Sequence, residues 1–220
     1  MSGKIITVAQ HKGGAGKTTL TAQLAAGLDN SGARVAILDV DPQGSLTEWH
    51  KVRTEQLGRK NKIGHMQLQG WKVMREIDSL ARNFDYVLID TPPHAESESS
   101  IAIRQADLVL LPVQPSPLDV WASGPTLKLI LQEKKPLMLV LNRVPPKSRL
   151  NGTIMDKLDA MNIGVSRQTL GNRVAFASSI MQGLGVTESD PRGTAAEEIR
   201  ALLKEIHRSK AMKSGASKAA

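Results

Sequence analysis

The sequence of 220 residues predicts an α/β domain: a doubly wound, mostly parallel sheet flanked by helices. Three observations predict it. Short β-branched runs alternate along the chain with longer stretches of helical spacing, the order that successive strand–helix units impose. The runs are nearly continuous in apolar residues, as parallel strands covered on both faces require. An apolar content of 40% supplies a core of the necessary size.

The predicted strands are IITVA (5–9), RVAILDV (34–40), YVLID (86–90), DLVLLPV (107–113) and LMLVLN (137–142). Helical spacing occupies 17–29, 71–82, 97–105, 118–133, 150–161 and 194–208. In the last of these Ala195, Ile199, Leu202, Leu203 and Ile206 form an apolar stripe, which predicts docking on the core. No internal repeat or linker divides the chain, so residues 1–208 are expected to form one domain. The remainder, 209–220, is small, polar and basic and is expected to be disordered. In a chain this poor in aromatics, Trp49, Trp71 and Trp121 are expected to be packing anchors rather than stacking platforms.

There is no cysteine, which excludes disulfides, thiolate zinc sites and cysteine-held iron–sulfur clusters. The N-terminal apolar run is too short for a signal peptide, and no later run reaches membrane-spanning length, so a cytoplasmic location is expected. A formal charge of +8 favours a polyanionic partner.

The segment HKGGAGKTT (11–19) lies between the first strand and a helix starting near Lys17. Gly13, Gly14 and Gly16, with Ala15 among them, let the backbone curl so that successive N–H groups form a nest for phosphate oxygens. The helix N-terminus adds partial positive charge. Lys17 can reach the β- and γ-phosphates, Thr18 can ligand Mg²⁺ and Thr19 can touch the α-phosphate, so ATP with Mg²⁺ is the expected cofactor pair. Lys12 departs from the usual pattern. At the loop's entry it is badly placed to curl onto its own nucleotide.

In LDVDPQGS (38–45), Asp39 and Asp41 are two apart and point to one side of an extended chain, which Pro42 helps keep extended. Paired carboxylates at a strand's carboxyl end suit Mg²⁺ hydration and positioning of an attacking water. Asp90 closes the third predicted strand, and Asn142 the fifth. Each alone could be a turn residue. Together with the glycine loop they all fall at the strand ends where open α/β sheets bind ligands.

HKGGAGKTT resembles the deviant Walker A loop of the ParA/MinD family of P-loop ATPases. The likeness continues through LDVDPQGS as the A′ and switch I segment and DYVLIDTPP as Walker B. VQPSPLDVWASG (113–124) is similar to the PSPLD segment of small plasmid-partition ATPases. Residues 173–199 resemble the family's late region of Arg, alanine-rich turn, Gly and a G-x-A-x-x-E-I helix start. The resemblance implies a sandwich homodimer formed on ATP, with Lys12 acting in trans on the facing subunit's nucleotide. Asp41 would orient the hydrolytic water, Asp39 and Asp90 would support the Mg²⁺ shell, and Asn142 would contact adenine.

At this length the N-terminal helix-turn-helix domain of larger partition ATPases is not expected. Double-stranded DNA would then be bound non-specifically, through phosphates. By position Arg173 and Arg192 match basic residues implicated in DNA contact in the family. Independently, Arg200, Lys204 and Arg208 recur every four residues on one helix face, which Glu197 shares; a solvated surface is the blander reading. The expected function is an ATPase switch, weak alone and stimulated by a ParB-like or cargo adaptor protein, that partitions or positions a plasmid, chromosome region or protein cluster on the bacterial nucleoid. A MinD-like membrane-cycling regulator is the alternative, and it would need a bulky apolar face beside the C-terminal lysines, where only Met212 qualifies. A small-molecule kinase or ligase would leave Lys12 without a role.

Overall fold

The structure, a computed structural model, describes residues 2–70, 72–93, 96–146 and 163–213. A six-stranded sheet runs through it in the order β3-β2-β4-β1-β5-β6, from β1 (Lys4–Val8), β2 (Val35–Asp39), β3 (Gly64–Gln67), β4 (Tyr86–Asp90), β5 (Leu108–Val113) and β6 (Leu137–Leu141). Every pairing in the sheet is parallel. The carboxyl ends therefore lie along one edge. From the central β1 the chain first builds toward one side and then the other, so the crevice at that edge is a topological switch point.

Side chains alternate between the two faces of each strand. Ile6, Val8, Val35, Ile37, Leu88 and Leu110 pack against α1 (Lys17–Asn30), α2 (Ser45–Leu57) and α9 (Thr194–Arg208), a helix docked through Ile199, Leu202 and Ile206. On the other face Leu38, Val40, Val87 and Ile89 meet Val73, Ile77 and Ala81 of α3 (Lys72–Asn83) and Ala102 of α4 (Glu96–Gln105).

Several elements differ from the sequence reading. The segment 118–133 is two helices, α5 (Pro117–Ala122) and α6 (Gly124–Gln132), because Pro125 has no N–H with which to continue the first. Strand β3 and helix α2 are additions. The expected alanine-rich turn is a helix, α7 (Val174–Met181), followed by the single turn α8 (Val186–Ser189). Past Ser209 the chain forms another turn of helix, α10 (Lys210–Lys213), with Met212 against the core, so the expected disorder does not begin there. Trp49 is buried as expected, but Trp121 is 70% exposed. Asp119 is the residue that α5 turns inward, leaving Leu118 and Trp121 facing out. The predicted helix 150–161 and Trp71 lie outside the described residues.

Candidate nucleotide-binding site

Gly16 precedes α1 with φ +90° and ψ 26°, a left-handed conformation that favours glycine. A side chain there would also strike the Asn142 amide nitrogen. The loop before α1 is tied down through its carbonyls: Gln114 Nε2 donates to Gly14 O at 3.1 Å and Asn142 Nδ2 to Ala15 O at 2.8 Å. His11 N–H donates to Thr126 Oγ1 at 2.9 Å. Among the described residues no protein acceptor takes the N–H groups of Gly13, Gly14, Ala15 or Gly16. A concave run of such amides at a helix N-terminus is suited to an anion.

Two adjoining clefts open there. One, of about 360 Å³, is lined by Gly13, Gly14, Gly16, Lys17, Thr18, Thr19 and Asp41, with Trp49, Arg143 and Ile180 at its walls. The second, of about 160 Å³, is lined by Gly16, Thr19, Leu20, Asn142, Leu170, Arg173 and Phe176. The first is polar and suits a phosphate chain. The second has an apolar body with the Asn142 amide at its edge, the composition a nucleobase requires.

Charge is concentrated beneath the first cleft. Lys17 is buried, and burial lowers its pKa while the Asp90 and Asp41 carboxylates oppose that shift. Asp90 is fully buried and its pKa is pushed up to about 7. Burial is the main cause, the Thr18 hydrogen bond and Lys17 work against it, and Asp39 and Asp41 add to it. Thr18 Oγ1 donates to Asp90 Oδ2 at 2.6 Å, whereas Asp90 Oδ1 is buried with no hydrogen-bond partner. A buried carboxylate oxygen left unsatisfied beside a threonine hydroxyl fits a hydrated divalent cation. Among the described residues no cluster of three His, Asp or Glu could hold a metal alone, so an ion here would depend on ligand phosphates and water.

Asp39 is also fully buried, and protein groups occupy both its oxygens. Asp41 reaches the cleft wall, with Oδ1 accepting from Gln43 N–H at 2.9 Å. Lys12 stands apart from its neighbours in the loop. Its Nζ donates to Asp119 Oδ1 at 2.6 Å, away from the cleft lining. Ser116, the N-cap of α5, accepts from Asp119 N–H at 3.1 Å and its hydroxyl bonds Asp119 Oδ2. Burial works to raise the Asp119 pKa, but the hydrogen bonds from Lys12 and Ser116 and the Lys12 charge take it below the usual carboxylate range.

The basic residues do not form one patch. Arg173 borders the second cleft and is paired with Glu198, Nη2 to Oε1 at 2.7 Å. Arg200, Lys204 and Arg208 follow α9 along a groove of about 560 Å³ that also includes Gly27, Leu28, Asn30 and Ser31, at the far end of α1. At about 1.5 Å per residue that end lies roughly 20 Å from the phosphate loop. Arg200 Nη2 donates to Pro191 O at 2.8 Å, and Arg192 is exposed in the turn before α9. Asp119, Phe176 and the loop-anchoring Gln114 escape the sequence reading; only the PSPLD likeness points toward the first.

A family model described as the CobQ/CobB/MinD/ParA nucleotide binding domain matches residues 6–211. The chain is 29% identical over 208 residues to maintenance of carboxysome distribution protein A of Halothiobacillus neapolitanus, covering 91% of this chain and 95% of that one. Its fold matches the cell division ATPase MinD of Pyrococcus furiosus with a TM-score of 0.76 at 20% identity, over 93% and 98% of the two chains. It matches the ATP complex of a Cyanothece McdA variant with a TM-score of 0.74 at 18% identity, over 93% and 96%. With a phosphate nest, a base-sized cleft and a match across nearly the whole described domain, the chain belongs to the CobQ/CobB/MinD/ParA nucleotide-binding family.

Proposed function

We propose that the protein is an ATPase switch that dimerises on ATP, holds duplex DNA non-specifically and positions a cargo through adaptor-stimulated hydrolysis. The observation that carries this reading is Lys12. It sits at the entry of the phosphate loop, outside the lining of its own cleft and held by Asp119, where a partner's nucleotide could recruit it. Likeness over nearly full length to a carboxysome-distribution protein supports a positioning role and favours a protein assembly as cargo.

In this reading Gly13–Thr19 hold the phosphates and Asn142 the base. Mg²⁺, held by Thr18 and through water by Asp90, would neutralise charge on the β- and γ-phosphates. Asp39, expected from the sequence to join that shell, is instead buried with both oxygens bonded to Asp41 and Thr47. Lys17 stabilises the same oxygens and Asp41 orients the attacking water. DNA lies along Arg200, Lys204 and Arg208, with Arg192 beside them and Arg173 available once Glu198 releases it. Among the described residues no helix is long and apolar enough to cross a membrane.

The test measures binding to random-sequence duplex with ATP, ADP and no nucleotide, for wild type and Lys12→Ala. Retention only with ATP is expected, lost in Lys12→Ala although calorimetry still registers ATP uptake by the monomer. Equal DNA retention in all nucleotide states would reject the switch.

A further inference from the structure

Asp39 Oδ1 accepts from Asp41 N–H at 3.1 Å; Oδ2 accepts from Thr47 N–H at 2.9 Å and from the Thr47 hydroxyl at 2.8 Å. An ionised carboxylate has no proton to give, so the single hydroxyl hydrogen of Thr47 is committed to Asp39. The 3.0 Å contact between Thr47 Oγ1 and His65 Nε2 is therefore donated by the imidazole. Burial, with the stacked His50 ring adding to it and Asp39 opposing, lowers the His65 pKa, which favours a neutral ring bearing that proton. The hydrogen bonds all run one way, from His65 through Thr47 to Asp39, and Asp39 in turn grips the backbone of Asp41.

Each end of this chain has a structural reason. Gly44, the N-cap of α2, has no side chain for the free amides of the first turn, so Asp39 caps Thr47 N–H from a distance. His65 and Gln67 lie on one face of the edge strand β3, toward residues 44–47; Gln67 Nε2 would lie 2.9 Å from a side chain added at Gly44. No residue of β3 is fully buried, so its pairing with β2 contributes two polar props more than it contributes apolar core.

We propose that Thr47 and His65 are positioning residues for hydrolysis: through Asp39 they fix the 39–47 loop so that Asp41 faces the phosphate cleft. The inference rests on the reading that Asp41 orients the attacking water. Its loss slows the chemical step and leaves nucleotide uptake intact, because the phosphate loop is anchored independently by Gln114 and Asn142.

Single-turnover ATP hydrolysis and calorimetric ATP binding, with DNA present, distinguish the outcomes for Thr47→Val, Thr47→Ser, His65→Leu, His65→Gln and Asp41→Ala. Thr47→Val and His65→Leu are expected to slow hydrolysis about tenfold with ATP affinity within about twofold. Thr47→Ser and His65→Gln, which keep a donor, recover most of the rate. Unchanged rates in Thr47→Val and His65→Leu beside an inactive Asp41→Ala would overturn the proposal. So would ATP affinity falling in step with rate, or no recovery in the conservative pair. Full activity in Asp41→Ala would instead overturn the reading beneath it.

Discussion

At the scale of single residues, the Lys12–Asp119 pair holds the most consequence. Lys12 is 39% exposed and Asp119 11%, so the pair is partly screened and worth at most about 1 kcal/mol. If ATP-bound dimers recruit Lys12, that contact must break first. Asp119→Asn is accordingly expected to tighten the dimer dissociation constant in ATP by no more than about fivefold, read by sedimentation. A weaker dimer would show that Asp119 supports the assembled state instead. The stacked His50 and His65 make a pH prediction. Burial is the main cause lowering both pKa values below the ordinary 6.5. Above that pH both folded and unfolded chains hold neutral rings and stability is complete. As pH falls through 6.5 the unfolded chain takes up protons first, so stability declines until the lowered folded values are passed. Asp90, with its pKa pushed up to about 7, takes up a proton in the folded chain over the same range and works the other way. The histidine contribution is therefore read by difference: between pH 8 and pH 5.5, denaturant titrations should show His50→Gln/His65→Gln losing less stability, or gaining more, than the parent chain.

At the scale of elements, α2 shows why part of the site was hidden in the sequence. Beside Leu46 and Trp49 it buries Arg53, 1% exposed, which bonds Glu188, Asp29, Asn61 and Gly183 O. A helix held by a satisfied arginine gives weak hydrophobic periodicity, and the four residues of β3 give none. The strands of the core, by contrast, were legible because each is a run of buried aliphatic residues. Arg53→Ala strips the partly buried Asp29 and Glu188 carboxylates of their guanidinium and is expected to cost about 3 kcal/mol. Gly183 has φ +66°, and a methyl there would collide with the Arg53 backbone, so Gly183→Ala is expected to cost about 2 kcal/mol or more. Urea unfolding measures both; loss of less than about 0.5 kcal/mol would show that α2 tolerates detachment from the α7–α8 turn.

At the scale of the whole molecule, the charge of +8 is distributed, not focused. Arg173 is paired beside the base cleft, while Arg200, Lys204 and Arg208 lie along α9 at the other end of α1. Three phosphate contacts per protomer, six in the ATP-bound dimer, predict a log–log salt slope of about −5 for DNA affinity. Lys204→Glu with Arg208→Glu removes four of those contacts and should flatten the slope by about 3 to 4 while leaving ATP uptake unchanged. A slope unaffected by the pair would move the DNA surface elsewhere. In the proposed switch, ATP and DNA would meet opposite ends of one buried helix, which would connect them rigidly.

The phosphate loop, the carboxylates at the strand ends and the parallel sheet were all determined by local sequence. Glycine conformational freedom, helix N-terminal charge and aliphatic runs act over a few residues, so their signals are contiguous. What the side chains do to one another across the sheet was decided by tertiary structure alone. Lys12 is held by a residue 107 positions away, and Asp39 caps Thr47, whose hydroxyl is propped in turn by His65. Such contacts leave no periodicity in the chain, because a buried hydrogen bond is fixed by where two elements meet and not by the spacing within either.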